Sequence, residues 1–548
     1  MLAADIQAAG RSNNESGASP RSSDAASAVT REERNEIRHA SAARHLNVEH
    51  LQPDLVGRSV RGGMVTLVVQ GIKVVAQAGA IVILARLLAP DDFGRFAMVA
   101  AFLAALELFK DLGLSTATVQ RRDVSLGQLD TLFWLNSGLG VAAAGIMAAL
   151  APLLAWFFGE PVLLTITPVV AVAFLFTGMA AQHLALLRRQ MRFSLLAVIQ
   201  VAAEVAGLAA AVIAAFAGLG IWALVVQRIS WAIATAMGAW IACNWRPGRP
   251  GPFAEVRSFV HFGGNATASM VVSYMAGNLD KVLIGWYWGA APLGLFERSQ
   301  KLLLLPIRNL NIPLGNVALA ALSRMVDEPA RYRNSYLAAV ERLAMLIAPL
   351  GGLFVAGSGP VVALVLGERW SEAAPILAWM GLATIYMPAS YALSWLYMSQ
   401  DRTPEMLRAG LLGAAMAIAA VLCGLPFGPV GVAAAFAVSG LLVRGPVLFW
   451  LAGRRGPVRT QDFYIILAAP TAGGAAVAGV VWSIRRWIPL DGLPVGAEVA
   501  ILAAASAVTA FLVCLLFPRG RRVVRSLGRL PALLRGDVAG RADSTVSA

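Results

Sequence analysis

From Met64 onward the chain alternates apolar blocks with short polar loops, and each block is about 20 residues long, the span of a bilayer-crossing helix. The blocks fall at 64–85, 93–117, 131–157, 162–187, 195–217, 221–243, 259–286, 291–320, 335–357, 372–398, 405–424, 430–451, 462–484 and 496–517. Backbone groups in lipid must be satisfied within their own segment, so apolar blocks of this length read as helices. The pattern predicts an all-α polytopic membrane protein with fourteen transmembrane helices. Residues 1–57 carry no apolar run and are expected to form a disordered cytoplasmic tail, neither a signal peptide nor a span.

Charge in the loops orients the helices. Every second loop is basic: Arg121 and Arg122, then Arg188, Arg189 and Arg192, then Arg246, Arg249 and Arg257. The phase continues through Arg324 and Arg331, Arg402 and Arg408, and Arg454 and Arg455, to the basic tail at 518–548. Intervening loops such as 158–161 and 217–220 carry almost no positive charge, with Arg369 and the Arg485–Arg486 pair as exceptions. The positive-inside bias puts both termini in the cytoplasm.

An internal repeat refines the layout. Pro90-Asp91-Asp92-Phe93-Gly94-Arg95-Phe96 is echoed by Ala290-Ala291-Pro292-Leu293-Gly294-Leu295-Phe296. Phe158-Gly159-Glu160 recurs as Leu366-Gly367-Glu368, and Gly220-Ile221-Trp222-Ala223 as Gly431-Val432-Ala433-Ala434, at offsets of 200 to 211 residues. Six helices per repeat keep both copies in one orientation, which predicts two parallel six-helix bundles related by an axis along the membrane normal. The expected division is an N-terminal bundle at 58–245, a C-terminal bundle at 246–455 and an accessory helix pair, the thirteenth and fourteenth, at 456–517.

Composition agrees with a membrane solvent, being 58% hydrophobic and 14% charged, against about 25% charged in soluble domains. The net charge of +14 is accounted for by basic loops facing an anionic leaflet, and no soluble basic domain is present to bind nucleic acid. Cys243, Cys423 and Cys514 are far apart, and His183 and His261 stand at segment ends. Neither set has metal-ligand spacing, so no metal, cofactor or redox chemistry is expected. There is no Gly-rich phosphate loop and no insert large enough for a catalytic domain, so the chain reads as a non-enzyme without ATP hydrolysis.

The candidate chemistry is the ionisable residues at membrane depth, which cost about 2.5–3.5 kcal/mol each and usually face a cavity. Gln70, Lys73 and Gln77 share one helix face at i, i+3, i+7, and their helix offers Lys73 no carboxylate. Arg298, Lys301 and Arg308 share another face, with Glu297 in reach of Lys301 at i+4 and Pro306 and Pro313 interrupting the helix. Together with Lys281, this surplus of cations suits a phosphate or diphosphate. Lys73, Gln77, Lys281, Arg298, Lys301 and Arg308 are therefore the substrate-binding candidates. Glu107, Lys110, Asp111, Glu204, Asp280 and Glu297 are candidates for ion coupling or structural pairing, and Arg228 is expected to snorkel or to pair with a neighbour.

Several stretches carry a resemblance. They include Ile83-Leu84-Ala85-Arg86-Leu87-Leu88-Ala89-Pro90-Asp91-Asp92-Phe93-Gly94, Asp111-Leu112-Gly113-Leu114 and Asn278-Leu279-Asp280-Lys281-Val282-Leu283-Ile284-Gly285. With Leu187-Arg188-Arg189-Gln190-Met191-Arg192-Phe193 and Ala321-Leu322-Ser323-Arg324, the chain resembles the Wzx-type polysaccharide flippases of the multidrug/oligosaccharidyl-lipid/polysaccharide exporter superfamily over about 57–517. The resemblance implies two six-helix bundles around a V-shaped cavity plus an accessory pair. It also implies alternating access that moves undecaprenyl-diphosphate-linked repeat units to the periplasmic leaflet of the bacterial inner membrane. Cavity cations would hold the diphosphate or anionic sugars; Phe296 stands where many relatives have Tyr. The partners implied are the lipid-linked oligosaccharide, membrane lipids, and a polysaccharide polymerase with chain-length and export proteins. Alternative readings are a lipid II flippase, a drug/cation antiporter, or a non-transporting scaffold. An antiporter for cationic drugs would want an acidic cavity, which these residues do not supply.

Overall fold

The computed structural model describes residues 55–111, 114–120, 124–252, 274, 277–490, 492–516 and 521, with the side chains of 55–70, Asp111, Thr116, Ala117 and Gln120 outside that description. The expected N-terminal tail, most of the 259–286 block, Gln70, the Asp111 side chain and most of the basic C-terminal tail lie outside the described residues. The rest of the chain is helical with no strand among the described residues.

The first half comprises α1 (Leu55–Leu87), α2 (Pro90–Asp111), the short α3 (Leu114–Gln120) and α4 (Leu126–Phe158). It continues with α5 (Leu163–Ala171), α6 (Ala173–Arg189), α7 (Phe193–Phe216) and α8 (Trp222–Ala242). A helical stretch over 277–288 leads to the second half. There α9 (Ala290–Ser323), α10 (Pro329–Val365), α11 (Ala373–Ala383), α12 (Met387–Ser399), α13 (Thr403–Gly424), α14 (Gly428–Ser439) and α15 (Gly445–Gly453) follow. Helices α16 (Thr460–Trp487) and α17 (Val495–Leu516) complete the order. Among the described residues nine helices, or ten if the pair α11 and α12 bent by 47° is one span, are long and apolar enough to cross a membrane. The apolar blocks therefore coincide with helices wherever they are described, and the number fourteen stays an expectation.

Local sequence explains the ends. Ser125 caps α4 in a capping box with Gln128, and Gly159 closes it at φ 67°, a left-handed conformation open to glycine at no steric cost. Its repeat counterpart Gly367 follows α10 at φ 99°. Helix α10 carries Pro349 and Pro360 and is kinked at Gly357, where φ is −113° and ψ 15°. Helices α16 and α17 pack on each other and on α10, so the two C-terminal helices lean on the second half.

The two halves meet where the repeat meets itself. A Cβ on Gly94 would stand 1.7 Å from the carbonyl oxygen of Ala290, and one on Gly294 would stand 2.0 Å from that of Pro90. These residues are pairwise 200 apart in sequence, so the contact is reciprocal, as at a two-fold axis. Only glycine permits so close a backbone crossing. Around it the Trp370 indole donates to the Ala85 carbonyl at 2.8 Å and the Arg86 guanidinium to that of Leu364 at 2.7 Å. Phe93 packs on Trp370 with ring centroids 5.4 Å apart, and Phe157 stacks on Trp286. All these contacts lie at the end of the molecule that bears the loops poor in positive charge. That end is sealed.

Candidate functional site

Below the glycine crossing the halves part around a cavity of about 470 Å³. Helix α1 contributes Lys73 and Gln77, and α9 contributes Arg298, Lys301 and Arg308. Lys281 comes from the 277–288 stretch, Glu204 from α7 and Gln227 from α8. The six substrate-binding candidates thus line one space, although four of them come from a different half than Lys73 and Gln77. From Arg298 to Ile312 the α9 wall runs about 21 Å at 1.5 Å per residue, most of a hydrocarbon core. A second chamber of about 470 Å³ inside the first half shares Lys73, Gln77, Glu204 and Gln227, and reaches Gln200 and Arg228.

The cations differ in what holds them. Glu297 is buried, and Lys301 Nζ lies 2.6 Å from its carboxylate, the pair expected at i+4, with Lys301 half exposed to the cavity. Arg298 Nε sits 3.0 Å from the same carboxylate without hydrogen-bond alignment, and its guanidinium lies 3.9 Å from the centre of the Phe93 ring. That ring belongs to the other half, so Arg298 joins the sealed end to the cavity by a cation–π contact. Lys281 Nζ donates to the Asn278 amide oxygen at 3.0 Å. Lys73 and Arg308 have no carboxylate partner among the described residues. Five cations face the cavity against Glu204, with Glu297 behind them.

The remaining candidates divide. Asp280 is buried and accepts from the Gln300 amide at 3.2 Å and from the Lys281 backbone N–H at 2.9 Å, a positioning arrangement for the start of α9. Glu107 takes Lys110 Nζ at 3.4 Å and also the Arg228 guanidinium across the interface of α2 and α8. Arg228 further lies over the Trp231 ring at 4.6 Å. Its expected pairing is therefore present. Glu107 and Lys110 do not line the cavity, whereas Glu204 opens to both chambers. His183, which stands toward the end of α6, is fully buried and stacked on Trp240 with ring centroids 4.7 Å apart, enclosed by Phe133, Trp240 and Trp245. Phe296 is buried in the core, 2% exposed, where a hydroxyl would need a partner.

Arg444 was not among the candidates. It ends a π-helical turn, Gly440–Arg444, between α14 and α15, donates to the Tyr386 hydroxyl and lies 4.1 Å from the Phe436 ring centre. A lone arginine followed by Gly445-Pro446 in an otherwise apolar run was its only sequence signal.

Comparison with known proteins gives this geometry its family. The chain is 24% identical to the lipopolysaccharide biosynthesis protein WzxC of Escherichia coli over 345 residues, 62% of this chain and 70% of WzxC. It is 27% identical to the teichuronic acid biosynthesis protein TuaB of Bacillus subtilis over 273 residues, 50% of this chain and 56% of TuaB, so it spans little more than half of that relative. Among solved structures the fold is similar to the lipid II flippase MurJ in an inward closed conformation, with TM-score 0.64 at 14% identity over 83% of this chain and 98% of that one. It is also similar to an inward-facing multidrug resistance MATE family transporter, with TM-score 0.55 at 15% identity over 75% of this chain and 99% of that one. The pattern of the polysaccharide biosynthesis protein family matches residues 83–375, more than half of the sequence, and the chain belongs to that family.

Proposed function

We propose that the protein moves lipid-diphosphate-linked oligosaccharide repeat units across the bacterial inner membrane by alternating access. The cavity between the halves carries the reading: among the described residues five cations from α1, the 277–288 stretch and α9 face one space, and only Glu204 lines it as an acid. A diphosphate offers charges that Lys can meet as a point and Arg as a fork, while the glycan would lie in the water-filled space. With the basic loops in the cytoplasm, the sealed end would be periplasmic, and the cavity would take its substrate from the cytoplasmic leaflet. Glu204, shared by both chambers, is the carboxylate through which an ion gradient would couple to the cycle. Fourteen helices in two six-helix bundles plus an accessory pair, with both termini cytoplasmic, complete the proposal. A polymerase and export proteins downstream would consume the product.

The relatives named for lipopolysaccharide and teichuronic acid biosynthesis support the glycan class. The test is complementation of a flippase deletion strain. Wild-type protein restores surface polysaccharide, and Lys73→Ala combined with Lys301→Ala abolishes it at equal membrane abundance. Full output from that double variant would remove the cavity from the mechanism and favour a scaffold.

A further inference from the structure

Two basic loops that the orientation argument treats only as topology signals converge on one pocket. Arg408 of α13 and Arg454 and Arg455, just after α15, line a pocket of about 210 Å³ together with Tyr397, Glu405 and Leu451. It lies away from the central cavity, and no residue is common to both. Its one carboxylate among the described residues is already engaged: Arg402 donates to Glu405 at 3.2 and 2.5 Å, and Arg455 approaches it at 3.5 Å. Arg408 and Arg454 donate to no carboxylate among the described residues, and Arg454 is held over the Trp450 ring at 4.4 Å. The pocket therefore keeps two cations in excess, on helix ends where charge stays near the membrane surface.

Its rim is apolar. Beyond the lining residues, Leu411 is 54% exposed three residues along α13 from Arg408, and Trp450, under the Arg454 guanidinium, is 52% exposed. A soluble anion would use the arginines and leave that rim without a role. A phospholipid would use both, its phosphodiester between Arg408 and Arg454 and its acyl chains along Leu411 and Trp450. We propose that this pocket is a binding site for the phosphodiester headgroup of an anionic membrane phospholipid such as phosphatidylglycerol. Basic pockets between helices at the cytoplasmic surface recognise such headgroups. The proposal does not depend on the transport reading, only on the chain spanning a membrane.

The test uses the purified full-length protein in a neutral detergent. Phosphatidylglycerol is added, and thermal unfolding and native mass spectrometry report binding. Phosphatidylglycerol is expected to raise Tm and give a resolved lipid-bound species, while phosphatidylcholine does neither. Arg408→Gln with Arg454→Gln, both exposed positions, should remove at least half of the Tm shift and weaken binding tenfold or more. Arg324→Gln, a basic residue on another loop, should leave both readouts as in the wild type. The proposal is overturned by an equal shift in the double variant, or by inorganic phosphate reproducing the wild-type shift. Undecaprenyl diphosphate displacing phosphatidylglycerol here at lower concentration would likewise overturn it, by assigning the pocket to the substrate.

Discussion

Gly294→Ala is the most telling perturbation of the sealed end. The new methyl would stand 2.0 Å from the Pro90 carbonyl oxygen, and real Cβ contacts do not fall below 3.0 Å, so α2 and α9 must separate by at least 1.0 Å. Both partners are backbone, so no side chain can yield instead. Overpacking of this kind costs about 1–3 kcal/mol, which falls on the state in which this end is closed. A bias of that size changes the ratio of closed to open populations about 5–150-fold. Leu219 and Phe427 lie at the same end in opposite halves and are exposed, so both accept spin labels after the three cysteines are replaced by alanine. Electron–electron distance measurement should then show a new, longer population in Gly294→Ala, and a larger one in Gly94→Ala, where the clash is 1.7 Å. Gly79→Ala is the control, because nothing lies within 4 Å of its Cβ. Distance distributions in Gly294→Ala that coincide with the parent would refute the closed-gate reading of the crossing.

Three further outcomes follow from the contacts. Asp462→Asn weakens the two hydrogen bonds of 2.8 and 2.5 Å from Arg333 that tie α16 to α10; melting should report a loss of about 1–3 kcal/mol, with substrate affinity unchanged. Glu107→Gln and Arg228→Gln should each destabilise, and their double-mutant cycle should show a coupling of about 0.5–3 kcal/mol; additive losses would mean the pair contributes nothing. Glu204→Gln should remove the dependence of transport on an ion gradient while leaving lipid-diphosphate binding in place, measured by flux with and without the gradient.

Much of the helical plan was legible in the chain because apolar length is local. The Glu297–Lys301 pair was legible for the same reason, since four residues along a helix bring side chains together. The repeat around Gly94 and Gly294 was visible as a pattern, but not its reciprocal contact, which depends on how two distant helices cross. The pairing of Glu107 with Lys110 is legible at i+3, but its second partner, Arg228, lies 121 residues away. Arg444 escaped because its π turn and its partner Tyr386 arise from tertiary packing rather than from spacing.

The proposed role of the cavity is tested most directly by reconstituting the protein in proteoliposomes with a fluorescent undecaprenyl-diphosphate oligosaccharide and following its appearance in the opposite leaflet. Wild-type protein is expected to accelerate translocation. Lys73→Ala with Arg308→Ala, which removes the two cavity cations that have neither a carboxylate nor an amide partner among the described residues, should reduce the rate at least tenfold while the fold and membrane insertion persist. Translocation at the wild-type rate in that variant would contradict the assignment of the diphosphate to this cavity.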